Sequence, residues 1–431
     1  MNKIQLFEEY EKKFKTSKEY FIKFKNLFPK GVCHDIRYFD PFPFITKTGK
    51  GIYLTDIDNN TLLDLWMGHY THILGHSNED IKEAVKETLE SSSIHGTINI
   101  YQYELAKMIK EAIPCIDLLR FCCSGTEATM YAIRLAKAYT NKSIIIKIEG
   151  GWHGGNSDLS YNIKPPFKNY DNLLSIPFNN IHRSEEILNK VKNNVAAIIV
   201  EPIMGSAGAI PGELSYLTFL RNFTRDNNIL LIFDETINAF RFCYGSIGMH
   251  FGIIPDIITM GKIIGGGFPI GAYGGRKEVM ETIVKKHLIM GGGTFSANPI
   301  TMVAGSTMLK ILKSRDYTEL NEHGKKLKND INKIISDLKI NGFASGFGSQ
   351  FSIIFLKNIY KDDCCPSQPS SFLPYIDDEK NTIFNVIALV NDMFTMHNGG
   401  ALSFFHLEDT IIEKIKNIYA KSLANLSEII N

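Results

Sequence analysis

Through the middle of the chain, short and nearly all-apolar runs alternate with segments whose apolar residues return every three or four positions. The runs are SIIIKIEG (143–150), VAAIIVEP (195–202), ILLIFDE (229–235) and DIITMGK (256–262). A strand covered on both faces is apolar at successive positions. Strands alternating with helical patterns such as IKEAVKETLE predict an α/β domain on a mainly parallel sheet. Ligands of such sheets sit at the carboxyl ends of the strands. Three of the runs end there in ionisable residues: Glu201, Asp234 with Glu235, and Lys262.

The flanks read differently. Residues 4–28 place Phe7, Tyr10, Phe14, Phe21, Phe24 and Phe28 at roughly helical spacing, which predicts one amphipathic docking helix. Pro41 and Pro43 interrupt regular structure, and GIYLTDIDNNTLLDLW predicts two short strands around an Asp-Asn-Asn turn. Beyond residue 310 helical patterns mix with weaker strands such as FSIIFL, and DDCCPSQPSS (362–371) reads as an exposed loop. The expected organisation is an N-terminal segment, 1–75, belonging to a small domain; a large domain, 76–310; and a C-terminal small α+β domain, 311–431.

Composition narrows the classes. The chain has 431 residues, 44% of them hydrophobic, enough for a large core divided between domains. A formal net charge of +1 gives no field to gather nucleic acid or a membrane surface. The charge-dense N-terminus has no apolar signal region, and no stretch approaches the roughly 18 apolar residues of a spanning helix. Seven cysteines without CxxC spacing read as reduced thiols of a cytoplasmic protein. His69 and His72 suggest no metal-ligand set.

Four stretches could carry chemistry. In FCCSGTEATMYAIRLAKAY (121–139) an apolar run meets Ser124, Gly125 and Thr126 at a helix start. That arrangement can cradle an anion or can simply cap the helix. In EGGWHGGNSD (149–158) glycine pairs flank Trp152, whose face could cover a planar ring, or which could be an ordinary turn residue. Asp234 and Glu201 close apolar runs where an acid needs a cationic partner. Lys262 follows 28 residues after Asp234, and an amine in a desolvated site becomes nucleophilic. A phosphate cup, a stacking aromatic, an acid for a ring nitrogen and a Schiff-base lysine together describe a site for pyridoxal 5'-phosphate.

The chain resembles the class III pyridoxal-phosphate aminotransferases of fold type I, in the branch of glutamate-1-semialdehyde aminomutase and the β-amino-acid aminotransferases. The resemblance lies in RFCCSGTEATMYAIRLAKAYT, EGGWHGGNSD, VEPIMGSAGAIPG, LIFDETINAFRF, PDIITMGKIIGGGFPIGAYGGRKEVM and GGGTFSANPITMVAG. It implies that Lys262 forms the Schiff base and shuttles the substrate proton, and that Asp234 pairs with the ring nitrogen. Ser124, Gly125 and Thr126 would hold the phosphate, Trp152 would stack on the ring, and Glu201 would lie near ring and substrate. Thr236, where the family usually has Val, would place a small hydroxyl against the ring. Thr294 would reach the phosphate of the neighbouring subunit, which implies a homodimer with the active site at its interface. GVCHDIRYFDPFPF (31–44) and GHYTHILGHS (68–77) resemble the substrate-binding segments of this branch, with Arg37 for a carboxylate and Tyr70 lining the pocket.

Two departures bear on the reaction. Residues 157–200 hold no glycine, unlike the Gly- and Ser-rich gating loop of the mutases, so the short SYNIKPPFKNYDN stretch suits the β-amino-acid branch. No arginine follows Arg315; MHNGGALSFFH (396–406), with His397 and Asn398 as neutral donors, stands where many relatives bind a keto-acid carboxylate. The expectation is amino transfer between a carboxylate-bearing amine, a β-amino acid first of all, and a keto or aldehyde acceptor. A semialdehyde-type aminomutase or an amino-acid epimerase is the alternative.

Overall fold

The computed structural model describes residues 2–156, 159, 173–291, 293–357 and 365–430. SYNIKPPFKNYDN lies outside the described residues. The chain divides into two compact units. The larger comprises Glu79–Tyr317 and Asp363–Pro374; the smaller comprises Met1–Asn78, Thr318–Asp362 and Tyr375–Asn431.

The larger unit is built on a seven-stranded sheet, counted among the described residues. In chain order its strands are β1 (Leu118–Cys122), β2 (Ile144–Ile148), β3 (Leu173–Ile176), β4 (Val195–Val200), β5 (Leu230–Asp234), β6 (Ile257–Gly261) and β7 (Gly271–Gly275). Their order across the sheet is β1-β7-β6-β5-β4-β2-β3. The pairs β6/β5, β5/β4, β4/β2 and β2/β3 are parallel, while β7 runs antiparallel to both β6 and β1. All residues of β4, β5 and β6 are buried, as their unbroken apolar character requires. The 16-residue helix α1 (Gly125–Thr140) packs Ala128, Ala132, Leu135 and Ala136 into the core that also holds Ile145, Ala197, Ile232 and Ile257. Part of the expected exposed loop is neither exposed nor wholly a loop: Pro369–Phe372 is a helical turn with Pro369 and Phe372 buried. The Ser367 carbonyl accepts the Asn179 amide at 2.8 Å, so this late stretch closes onto the larger unit.

The smaller unit is α+β. One sheet joins Thr46–Lys50, Tyr53–Asp56, Thr61–Asp64 and Met393–Phe394; another joins Gly342–Phe347, Gln350–Phe355 and Gly399–Ala401. Helices Asp378–Val390 and Asp409–Ile430 pack with them. The single N-terminal helix expected over 4–28 is instead two, Lys3–Lys13 and Lys15–Lys25, broken at Phe14 (φ −112°, ψ 41°). The cause is Asp58, whose carboxylate accepts the N–H groups of Thr16 and Ser17 at 2.5 and 2.9 Å and the Ser17 hydroxyl at 2.7 Å. A carboxylate from the hairpin turn thus supplies the cap that the second helix needs. These donors hold the Asp58 carboxyl below its ordinary value although burial pushes the other way.

Candidate active site

Parallel register sets the centre of the site. Asp234 ends β5 opposite Thr259 of β6, and Lys262 directly follows β6. Asp234 is 4% exposed. Its Oδ1 accepts the Thr236 N–H at 3.1 Å, the Thr236 hydroxyl at 2.7 Å and the Thr259 hydroxyl at 2.9 Å. Its Oδ2 lies 2.9 Å from His153 Nδ1. Burial alone would raise the carboxyl's pKa, but the His153 and Thr236 interactions outweigh it and the net shift is downward. Asp234 is therefore a buried anion, prepared to meet a cation.

Glu201, just past β4, behaves differently. Its Oε1 accepts the Trp152 N–H at 3.2 Å and the Ser206 hydroxyl at 3.3 Å, and its Oε2 accepts the Gly205 N–H at 3.0 Å. Burial raises its pKa, the Asp234 charge adds to the rise, and His153 and the backbone donors oppose it. Glu201 thus ties the Trp152 turn to the loop after β4. Lys262 stands in the left-handed region at φ 48°, a conformation that costs a non-glycine residue energy and that clusters at functional sites. Burial lowers the pKa of its amine, against the pull of Asp234 and Glu201 and with the help of the Arg241 charge. The glycines after Lys262 have a packing reason. A Cβ on Gly266 (φ +60°) would lie 2.4 Å from the Ala304 carbonyl oxygen, so only glycine lets helix Pro299–Leu312 come this close.

The expected phosphate cup is the N-terminus of α1. Ser124 is its N-cap, and the hydroxyl oxygen accepts the Glu127 N–H at 3.2 Å. The sequence left open whether this is a cap or an anion cradle; Ser124 does act as a cap, and its hydroxyl hydrogen stays available to an anion. Thr126 Oγ1 accepts the Gly155 N–H at 3.3 Å, and the Thr129 hydroxyl donates to the His153 carbonyl at 2.7 Å. The first turns of α1 therefore clamp the Gly-flanked turn that carries Trp152 and His153. Gly125 is backed by Thr236: a Cβ there would lie 2.8 Å from Thr236 Cγ2.

The structure brings Gly125, Asp234 and Thr236 together and sets beside them residues that the sequence did not mark. Trp152, the residue of its turn expected to cover a ring, is 44% exposed, and the neighbouring His153 is buried against Asp234. The imidazole in EGGWHGG was visible, but only folding shows that it meets an acid 81 residues away. Thr259 carried no signal at all, since its place beside Asp234 depends on strand register. Thr294 is exposed on the segment where Ser296 Oγ lies 3.8 Å from Cys123 Sγ.

Arg37 and Tyr70 belong to the smaller unit. Arg37 ends the short turn Asp35–Arg37 and is exposed. With Cys33, Trp66, His69 and Phe24 it lines a cavity of about 510 Å³. Tyr70 is buried and closes a left-handed turn in which Met67, Gly68, His69 and Tyr70 have φ of 46°, 59°, 63° and 66°. Of the two neutral donors expected further on, Asn398 is buried and spends its amide on Asn381 at 2.7 Å. Only His397 is exposed, with Nε2 3.0 Å from the Ile36 carbonyl oxygen.

The residues of the larger unit fit pyridoxal phosphate. Among the described residues His153 Nε2 is buried without a hydrogen-bond partner, Asp234 is held anionic, burial lowers the pKa of the Lys262 amine, and a helix N-terminus that begins at a glycine suits an anion. Fold and site together define a pyridoxal-phosphate enzyme of fold type I. The chain belongs to the class III aminotransferases, whose family model matches residues 37–353. It is 40% identical over 356 residues to the glutamate-1-semialdehyde 2,1-aminomutase of Methanocaldococcus jannaschii, covering 80% of this chain and 84% of that protein. The corresponding protein of Methanothermobacter thermautotrophicus is 38% identical over 79% and 83% of the two chains. Among solved structures, a β-phenylalanine aminotransferase from Variovorax paradoxus superposes with a TM-score of 0.89 at 26% identity, over 97% of both chains. Among the described residues no helix is long and apolar enough to cross a membrane, and the six described cysteines are free.

Proposed function

We propose that this enzyme is an aminomutase of the glutamate-1-semialdehyde type, which moves an amino group between adjacent carbons of one carboxylate-bearing amino aldehyde. The observation that carries the reading is the 38–40% identity to proteins of that name over about four-fifths of the chain. It reverses the order expected from the glycine-free stretch 157–200, which had favoured a β-amino acid. The second reading, a β-amino-acid aminotransferase, keeps the support of that stretch and of the β-phenylalanine aminotransferase structure.

When bound, the cofactor supplies an aldehyde that condenses with amines and a ring that accepts the electrons of a broken C–H bond. Lys262 would hold the cofactor through its aldehyde. The Lys262 amine would take a proton from the substrate carbon and return it elsewhere, a task suited to an amine whose pKa burial lowers. Asp234 would supply the negative charge that keeps the ring nitrogen protonated, and His153 fixes its carboxylate. Ser124, Gly125 and Thr126 with the start of α1 would hold the phosphate and Trp152 would cover the ring, while Glu201 anchors the Trp152 turn. Arg37 takes the substrate carboxylate by bidentate hydrogen bonds, and Tyr70 shapes the surrounding pocket. Thr294 would serve the phosphate of a second copy, so the working form would be a homodimer, and the free thiols suit the cytoplasm.

The test is incubation of the cofactor-loaded enzyme with glutamate-1-semialdehyde and no keto acid. A mutase converts it catalytically to the isomer with the amino group on C1 and the carbonyl on C2. No such turnover, together with amino transfer from β-amino acids to an added keto acid, would establish the second reading instead.

A further inference from the structure

Thr236 touches three parts of the site at once. Its methyl carbon fills the space beside two glycines: a Cβ on Gly125 would come within 2.8 Å of it, and one on Gly261 within 3.1 Å. With the methyl so wedged between the anion cup and the residue before Lys262, the hydroxyl is turned onto Asp234 Oδ1 at 2.7 Å. That oxygen already receives the Thr236 N–H at 3.1 Å and the Thr259 hydroxyl at 2.9 Å. A carboxylate oxygen offers about two lone-pair directions, so Oδ1 is saturated. Oδ2 receives His153 alone among the described residues, which leaves it one lone pair for a cation. Each donor on a carboxylate draws off negative charge and weakens the remaining hydrogen bonds that it accepts.

We propose that Thr236 is a positioning residue that moderates Asp234: with three donors on Oδ1 the cofactor's ring nitrogen is left to Oδ2, and the Thr236 hydroxyl, the shortest of the three bonds, weakens the hold of the carboxylate on the ring proton. A ring nitrogen held less firmly is a milder electron sink, so Thr236 sets how strongly bound pyridoxal phosphate acidifies a substrate C–H. The inference rests on Asp234 as the partner of the ring nitrogen.

Two substitutions separate hydroxyl from methyl. Thr236→Val keeps the wedge and the backbone N–H bond but removes the hydroxyl; Thr236→Ser keeps the hydroxyl and removes the methyl. The readout is the affinity of cofactor-free protein for pyridoxal phosphate divided by its affinity for the analogue whose ring nitrogen is replaced by C–H. The wild type should prefer the nitrogen-bearing cofactor. Thr236→Val should widen that preference about three- to tenfold, and Thr236→Ser should leave it within about twofold of wild type. The ¹⁵N resonance of labelled cofactor should move further toward the protonated value in the Val variant. An unchanged ratio in Thr236→Val, or an equal change in both variants, overturns the proposal. A wild type with no preference, or a preference that survives Asp234→Ala, overturns the Asp234 pairing on which it rests, and so the two failures are told apart.

Discussion

Glu235 lies immediately behind the site and is fully buried. Its carboxylate accepts the Ser246 hydroxyl at 2.5 Å and the N–H groups of Ile247 and Gly248 at 3.0 and 3.1 Å. Burial nevertheless dominates these bonds, the Asp234 charge adds to it, and the pKa rises from 4.5 to about 7. Cys115 and Cys243 face the same carboxylate, and their thiols are pushed up to about 12, first by burial and then by Glu235. They remain neutral across the window that matters here. Moving a carboxyl from 4.5 to about 7 corresponds to about 3 kcal/mol between its two protonation states. Between those values the folded chain holds a proton that the unfolded chain has released, so stability from this group falls as pH rises through the window. Glu235→Gln fixes the neutral form. Its amide brings a donor where a backbone N–H already donates, a cost of about 1 kcal/mol at every pH. The variant should therefore be slightly less stable than wild type at pH 5 and more stable by about 2 kcal/mol at pH 8. Hydrogen exchange of peptides spanning 230–261, compared between the two proteins at each pH, reports opening of this unit rather than of the whole chain. An identical difference at pH 5 and pH 8 would refute the reasoning, because Glu235 would then titrate in its ordinary range.

Lys262→Ala should remove the yellow absorbance of the cofactor-loaded enzyme and its turnover together; turnover at the wild-type rate would exclude Lys262 as the covalent lysine. Arg37→Ala should raise KM for carboxylate-bearing substrates by roughly 10- to 100-fold, the worth of a charged hydrogen bond. It should leave simple amines nearly unaffected, and steady-state kinetics on paired substrates reads the difference.

What the sequence made legible followed from burial and strand polarity. Strands apolar at successive positions had to be central and parallel, and ionisable residues at their ends had to lie on one edge; Glu201, Asp234 and Lys262 do so. What stayed hidden depended on register and on long-range partners. Thr259 is an ordinary strand threonine until β6 pairs with β5, and His153 is a turn residue until α1 pulls its loop over Asp234. The N-terminal helix was read as continuous because periodicity does not reveal that Asp58, far along the chain, caps its second half. For the reaction, the likeness to the aminomutases over about four-fifths of the chain favours the alternative over amino transfer from a β-amino acid, and a single glycine-free stretch carries too little of the chain to reveal that likeness.

The chain crosses between its two units after Asn78, Tyr317, Asp362 and Pro374. No single cut therefore yields either unit as one continuous piece, and the order of synthesis is constrained. When residue 317 leaves the ribosome, the larger unit has everything except its short closing piece, 363–374. The N-terminal piece by then has waited through 239 residues, Glu79–Tyr317, which at about 5–20 residues per second is roughly 10–50 s. Phe44 meets Phe394, at a ring separation of 4.9 Å, only after that wait. During it Leu6, Tyr10, Phe14, Phe42 and Phe44, all buried at the end, have yet to meet the late part of their unit. The nascent enzyme thus carries an early aromatic segment in search of a late partner, and it is there that chaperones and aggregation compete for it.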